Sequence, residues 1–102
     1  MKNLSPLAHT DVTAALLSLP QWQHEASTGR IHGRWRFHDY ASACSFVMYV
    51  STLADQHNHH PDIQFGWGYA EISLTTHDAK GVTQRDISLA TAINHYEGLQ
   101  KK

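Results

Sequence analysis

The feature that most constrains the fold is an amphipathic stretch between Asp39 and Pro61. Asp39 can act as a helix N-cap, and the residue before a proline is pushed out of the α region. We therefore predict a helix from about Tyr40 to His57 that ends before His60. Its apolar residues recur at helical spacing and form one face. They are Ala43, Phe46, Val47, Val50, Leu53 and Ala54. A helix of this kind can pack on a β-sheet.

Alternating apolar and polar residues on both sides of this helix predict two β-hairpins. Before the helix, candidate strands at 22–25 and 31–37 are separated by turn-forming residues. After it, candidate strands at 63–67 and 70–75 are separated by a turn within 66–68. Hairpins imply antiparallel pairing, so four antiparallel strands are expected. The tryptophans in these runs are expected to be buried or partly buried strand aromatics. They are Trp22, Trp35 and Trp67.

Two shorter helices are predicted near the ends of the chain. Thr10 is the expected N-cap of the first, which Pro20 ends. Thr83 is the expected N-cap of the last, with Asp86 in its first turn serving the cap and the helix dipole. The predicted order is αββαββα. We expect a single α+β domain over residues 1–102, a two-layer sandwich with three helices on one face of a four-stranded antiparallel sheet.

Charge and cysteine content exclude several classes of protein. The formal net charge is -1 with neutral histidines, so bulk charge indicates neither a nucleic-acid nor a membrane partner. No secretory signal pattern or apolar run of membrane-spanning length is present. Cys44 is the only cysteine, which excludes an internal disulfide and fits a reducing compartment. We therefore predict a cytoplasmic protein.

Histidine is the unusual component, with nine in 102 residues. His59, His60 and His77 lie at the two ends of the second predicted hairpin, whose down-and-back path should bring its ends together. Asp55 lies one helical turn before His59 and is expected on the same face. The other histidines outside this region share no motif and are expected to be scattered on the surface. They are His9, His24, His32, His38 and His95.

A cluster of three imidazoles can serve two kinds of chemistry. A nearby carboxylate favours the protonated form of one imidazole beside a neutral one, which gives an acid and a base in one site. Three histidines and a water can also hold a catalytic zinc, although the spacing matches no common zinc signature. A chance grouping of surface histidines is the third alternative, and the residues by themselves leave these three open.

The spacing of these residues resembles that of one known family. Asp55, the His59-His60-Pro61 step, Trp67, His77 and Asp86 follow one another as in the signature of the pterin-4a-carbinolamine dehydratase family. Three further segments are similar to that family, so the resemblance covers nearly the whole chain. They are 19–22, 37–40 and 74–79. The chain differs from the commoner pattern at four positions. Asp55 replaces Glu, Asn58 replaces Asp, Trp67 replaces Tyr and Lys80 replaces Gly.

The resemblance implies dehydration of 4a-hydroxytetrahydropterin to quinonoid dihydropterin, the recycling step after an aromatic amino acid hydroxylase. It implies His60 and His77 as proton carriers and His59 as a positioning or stabilising group, with no metal and no cofactor. The expected substrate-binding residues are Asp55, Asn58, Thr75, Thr76, Asp78 and Asp86. The resemblance also implies a homodimer or homotetramer. The alternative is a non-catalytic protein on the same fold, either a dimerisation cofactor for a transcription factor or a Rubisco assembly factor.

Overall fold

The computed structural model describes residues 5–96, which follow the predicted order αββαββα. The elements are α1 (His9–Ala15), β1 (Trp22–Glu25), β2 (Arg30–Arg36), α2 (Tyr40–His57), β3 (Asp62–Gly66), β4 (Tyr69–Leu74) and α3 (Gln84–Ile93). The strands form one antiparallel sheet in the order β1-β2-β4-β3. The predicted α+β architecture is therefore confirmed. Within residues 5–96, no helix combines the length and apolar character needed to cross a membrane.

One face of the sheet carries the core. Gly33 of β2 pairs with Trp22 on one side and with Ile72 on the other, and Ile72 pairs in turn with Ile63. This register places apolar side chains of all four strands on the same face, because successive side chains alternate between faces. The helices cover that face with their own apolar side chains. The fully buried helical residues include Val12, Phe46, Val50, Leu89, Ala90 and Ile93.

The two tryptophans of the first hairpin are buried as predicted, each with 3% of its surface exposed. Their rings meet edge to face, with centroids 5.2 Å apart. Gly33 makes this arrangement possible, because a Cβ there would lie 2.6 Å from Cη2 of Trp35 and 3.1 Å from Cδ2 of Trp22. The indole nitrogen of Trp22 also donates to Oδ1 of Asn94, 3.1 Å away, which ties β1 to the end of α3.

Trp67 does not follow the prediction for the tryptophans. It is 73% exposed, because β3 ends at Gly66 and Trp67 lies in the turn to β4 rather than in a strand. The turn closes through Gly68, whose φ of +80° lies in the region that favours glycine. The indole of Trp67 therefore lies at the exposed tip of this hairpin.

The predicted start of the first helix is also wrong. The N-cap is Ala8, not Thr10, and it makes no side-chain capping bond. The backbone N–H groups of Asp11 and Val12 already donate to the carbonyl of Ala8, so the chain is helical before Thr10 is reached. Pro20 ends this segment as expected, after a short 3-10 turn at Leu16–Ser18.

Candidate active site

Asp86 is the centre of a hydrogen-bond network that joins two of the other predicted site residues, His59 and Thr76. It has no exposed surface. Its Oδ1 lies 2.5 Å from Nε2 of His59, and its Oδ2 accepts from Oγ1 of Thr76 at 2.8 Å and from the backbone N–H of Thr83 at 2.9 Å. One buried carboxylate therefore connects the end of α2, the end of β4 and the start of α3. Its full set of partners also explains how a charged group is kept in the interior.

The start of α3 builds this carboxylate site. Thr83 is the N-cap, as predicted, and forms a capping box with Asp86. The Thr83 hydroxyl accepts from the backbone N–H of Arg85 at 3.2 Å and lies 2.8 Å from the hydroxyl of Thr76. The predicted capping role of Asp86 is confirmed, and the same side chain also holds His59.

The end of α2 turns His59 inward. Asn58 is left-handed, with φ 51° and ψ 44°, a conformation that asparagine tolerates better than most residues. The N–H of Asn58 donates to the carbonyl of Asp55, and the N–H of His59 donates to the carbonyl of Ala54. These two bonds form a Schellman motif. The chain reverses here, and His59 is left only 8% exposed.

Asp55 does not pair with His59, as its helical spacing suggested. Its Oδ1 instead lies 3.0 Å from Nε2 of His60, and both side chains are exposed. The reason is that α2 ends at His57, so the (i, i+4) geometry of a helix does not extend to His59. The two adjacent histidines therefore have different surroundings, one buried against Asp86 and the other in solvent beside Asp55.

The end of β4 presents the second group of predicted residues. The Thr75 hydroxyl donates to the carbonyl of Gly29 at 2.6 Å, and Thr76 is buried at the Asp86 network. His77 and Asp78 follow in a short 3-10 turn and are exposed. Because Thr76 directly precedes His77, the chain of contacts from His59 through Asp86 ends next to His77.

Arg85 was not anticipated from the sequence. Its guanidinium donates to the carbonyl of Asn58 at 2.9 Å and so fastens α3 to the reversed end of α2. Nothing in the local pattern around Arg85 indicates this contact, because it joins residues 27 positions apart. The contact supports the backbone just before His59.

The donor groups do not favour a zinc site. Among residues 5–96, no three or more His, Cys, Asp or Glu side chains are arranged to hold a metal ion. Asp86 and Asp55 instead pair with separate imidazoles, those of His59 and His60. The three motif histidines are therefore not arranged as the three-histidine zinc alternative requires.

Comparison with known proteins now decides the family. The model of the pterin 4 alpha carbinolamine dehydratase family matches residues 5–96. The chain belongs to that family. A relative from Paracoccus denitrificans (strain Pd 1222) is 36% identical over 92 residues, covering 90% of this chain and 86% of its own. A relative from Rhodopseudomonas palustris (strain BisB18) is 41% identical over 88 residues, covering 86% of this chain and 87% of its own. Both relatives bear the assigned name pterin-4-alpha-carbinolamine dehydratase.

Solved structures agree with the fold of the dehydratase family. A transcriptional coactivator/pterin dehydratase from Brucella melitensis superposes with a TM-score of 0.84 at 27% identity, covering 89% of this chain and 97% of that one. A pterin dehydratase-like protein described as a RuBisCO assembly factor of the alpha-carboxysome superposes with a TM-score of 0.64 at 21% identity, covering 74% and 87%. The second likeness bears on the fold alone.

Proposed function

We propose that this protein dehydrates 4a-hydroxytetrahydropterin to quinonoid dihydropterin and water, and so recycles the pterin of an aromatic amino acid hydroxylase. The observation that carries the proposal is the Asp86 network, which holds His59 of the His-His-Pro step and ends beside His77. Family membership and the names of the relatives support the same activity.

The reaction needs one base and one acid. The base removes the proton from N5, the N5 electron pair forms a double bond to C4a, and the acid protonates the 4a-hydroxyl, which leaves as water. His60 and His77 are exposed and so can exchange protons with the substrate and with solvent. We assign them as the two proton carriers. Every step is a proton transfer or an electron-pair shift within the pterin, so no metal or cofactor takes part in the proposed mechanism.

The remaining residues divide by exposure. Asp55, Asn58 and Asp78 are exposed beside the histidines and are proposed as contacts to the pterin. The hydroxyl of half-buried Thr75 donates to Gly29 of the β1–β2 turn, so this residue is proposed to contact the pterin through its remaining polar atoms. Thr76 and Asp86 are buried. We therefore assign these two a positioning role toward His59 in place of the direct substrate contact expected from the sequence.

A stopped-flow assay tests the activity. A hydroxylase generates 4a-hydroxytetrahydropterin in place, and its decay is followed with and without this protein. The proposal expects faster decay in proportion to protein concentration, and unchanged activity after treatment with a metal chelator. Equal decay with and without protein refutes it.

The single Cys44 in 102 residues supports placing this reaction in the cytoplasm.

A binding role is the second candidate. The Brucella melitensis structure carries both a coactivator and a dehydratase description, and this chain exposes Trp67 at a hairpin tip. Aromatic side chains of this kind are enriched at protein interfaces. Pull-down with Trp67→Ser against the wild type separates the two candidates, because a binding role predicts loss of a captured partner while dehydration stays unchanged.

A further inference from the structure

Two histidines outside the site form a pair that could not be predicted from their sequence positions. His9 begins α1 and His24 lies in β1, 15 positions later, yet their Nδ1 atoms are 2.8 Å apart. The ring planes are within 24° of parallel and the centroids are 4.8 Å apart. Because the centroids are farther apart than the nitrogens, the rings meet through their Nδ1 edges. Only one Nδ1 can donate in this contact, so the other presents its lone pair.

We infer that the His9–His24 pair is a binding site for a divalent transition-metal cation, with Cu²⁺ preferred over Ni²⁺ and Zn²⁺. Metal–imidazole bonds of about 2.0–2.1 Å that meet at about 90° place their nitrogens about 2.9 Å apart. The observed separation of 2.8 Å is close to that spacing. Square-planar coordination has such an angle and is typical of Cu²⁺ and Ni²⁺. Cu²⁺ also binds nitrogen ligands most tightly among the divalent first-row metals.

Binding of the cation requires no release of a proton to solvent. In the free protein the donating ring carries its proton on Nδ1. When the cation binds, this proton moves to Nε2 of the same ring, and both Nδ1 lone pairs then point to the metal. The exposed His9 ring has the freedom to rotate toward the cation.

The surroundings leave room for the rest of the coordination shell. The pair borders a surface groove of about 260 Å³ between α1 and β1. Thr13 and Gln23 line this groove and offer oxygen atoms, and water can fill the other positions. No third His, Cys, Asp or Glu joins the pair within residues 5–96. The site is therefore expected to bind and release metal reversibly rather than to hold a structural ion.

The test uses the untagged, metal-stripped protein and the metal alone. Cu²⁺ and Ni²⁺ are titrated against a competing chelator for the wild type, His9→Gln, His24→Gln and the double variant. His95→Gln is the matched control, because it removes an exposed histidine outside both sites. We expect one ion per chain and a loss of Cu²⁺ affinity on the order of 10²-fold in each single variant, since one imidazole no longer chelates. The double variant should lose little more Cu²⁺ affinity than either single variant. The His95→Gln control should lose none.

Electron paramagnetic resonance provides the second readout. Cu²⁺ added below one equivalent should show coupling to two nitrogens in the wild type and to at most one in His9→Gln. Since His9 is exposed, this variant is expected to fold, and its thermal transition without metal checks that. Affinity in His9→Gln equal to that of His95→Gln, or a wild-type spectrum with fewer than two coupled nitrogens, would overturn the inference.

Discussion

At the scale of single residues, Asp86 links stability to the proposed site. Its carboxylate accepts from three groups with no contact with solvent. Asp86→Asn has one acceptor oxygen in place of two, so at least one buried donor loses its partner. We expect a decrease of about 1–3 kcal/mol in the free energy of unfolding. Urea denaturation measures it, with exposed Asp78→Asn as the control.

A positioning role for Asp86 adds a kinetic expectation. Folded Asp86→Asn, assayed well below its thermal transition, should show a lower kcat with a smaller change in KM, because His59 is misplaced while the substrate contacts remain. If Asp86→Asn is as stable as Asp78→Asn and as active as the wild type, the carboxylate has neither role.

Lys80 is a residue whose backbone conformation does not suit its side chain. Its φ of 59° and ψ of 41° are left-handed, which costs most non-glycine residues about 1–2 kcal/mol. Glycine avoids that cost but loses more backbone entropy on folding, about 0.5–1 kcal/mol. We expect Lys80→Gly to raise the free energy of unfolding by about 0.5–1 kcal/mol. Chemical denaturation measures this change.

Asn58→Gly is the matched control for the Lys80 substitution. Asn58 is also left-handed, with φ 51°, but asparagine tolerates this region better, so the gain should be smaller. A lower stability for Lys80→Gly would contradict the strain argument.

At the scale of elements, the start of α2 predicts a pH effect. The side chain of Ser42, and then its backbone N–H, hydrogen-bond to Asp39 and lower the pKa of that carboxyl. The folded pKa is thus below the ordinary value of about 3.9, so ionised Asp39 stabilises the fold above that value. The stabilisation disappears as the pH falls through the lowered pKa.

Asp39→Asn isolates this contribution, since asparagine also caps helices but does not ionise in this range. We expect the advantage of the wild type over Asp39→Asn in thermal unfolding to be present near pH 6 and to decrease as the pH falls below the ordinary aspartate pKa of about 3.9. Asp11→Asn, an exposed change in the first turn of α1, controls for general charge effects. A difference that stays constant over this range would show that Asp39 acts only as a neutral cap.

The same elements show what could be predicted from sequence and what could not. The spacing of apolar residues and the N-capping residues predicted α2, α3 and all four strands. These signals can be read from sequence because an apolar face and a polar N-cap are local features. The inward position of His59 and the pairing of Asp55 with His60 could not be predicted. They follow from the left-handed Asn58, a single-residue reversal that spacing does not reveal. The contacts of His9 and Arg85 with distant residues were missed for a related reason, since tertiary packing creates them.

At the scale of the whole molecule, we predict a homodimer or homotetramer. The sheet ends in two edge strands, β1 and β3, whose outer backbone groups can pair with another chain. Met48 on α2 and Trp67 are large apolar side chains with 64% and 73% of their surface exposed. Light scattering after size-exclusion chromatography should give two or four times the chain mass over a dilution series. A single-chain mass at every concentration would contradict this.

The central claim is that imidazoles from two separate chain segments act on one substrate. The most direct measurement is the single-turnover decay of 4a-hydroxytetrahydropterin with His60→Ala, His77→Ala and the double variant. Each single variant should remain folded and lose roughly 10²–10⁴ of the rate enhancement, and the double variant should lose little more, since the two groups serve one reaction. Folded single variants with the wild-type rate, or losses that simply multiply in the double variant, would contradict the account.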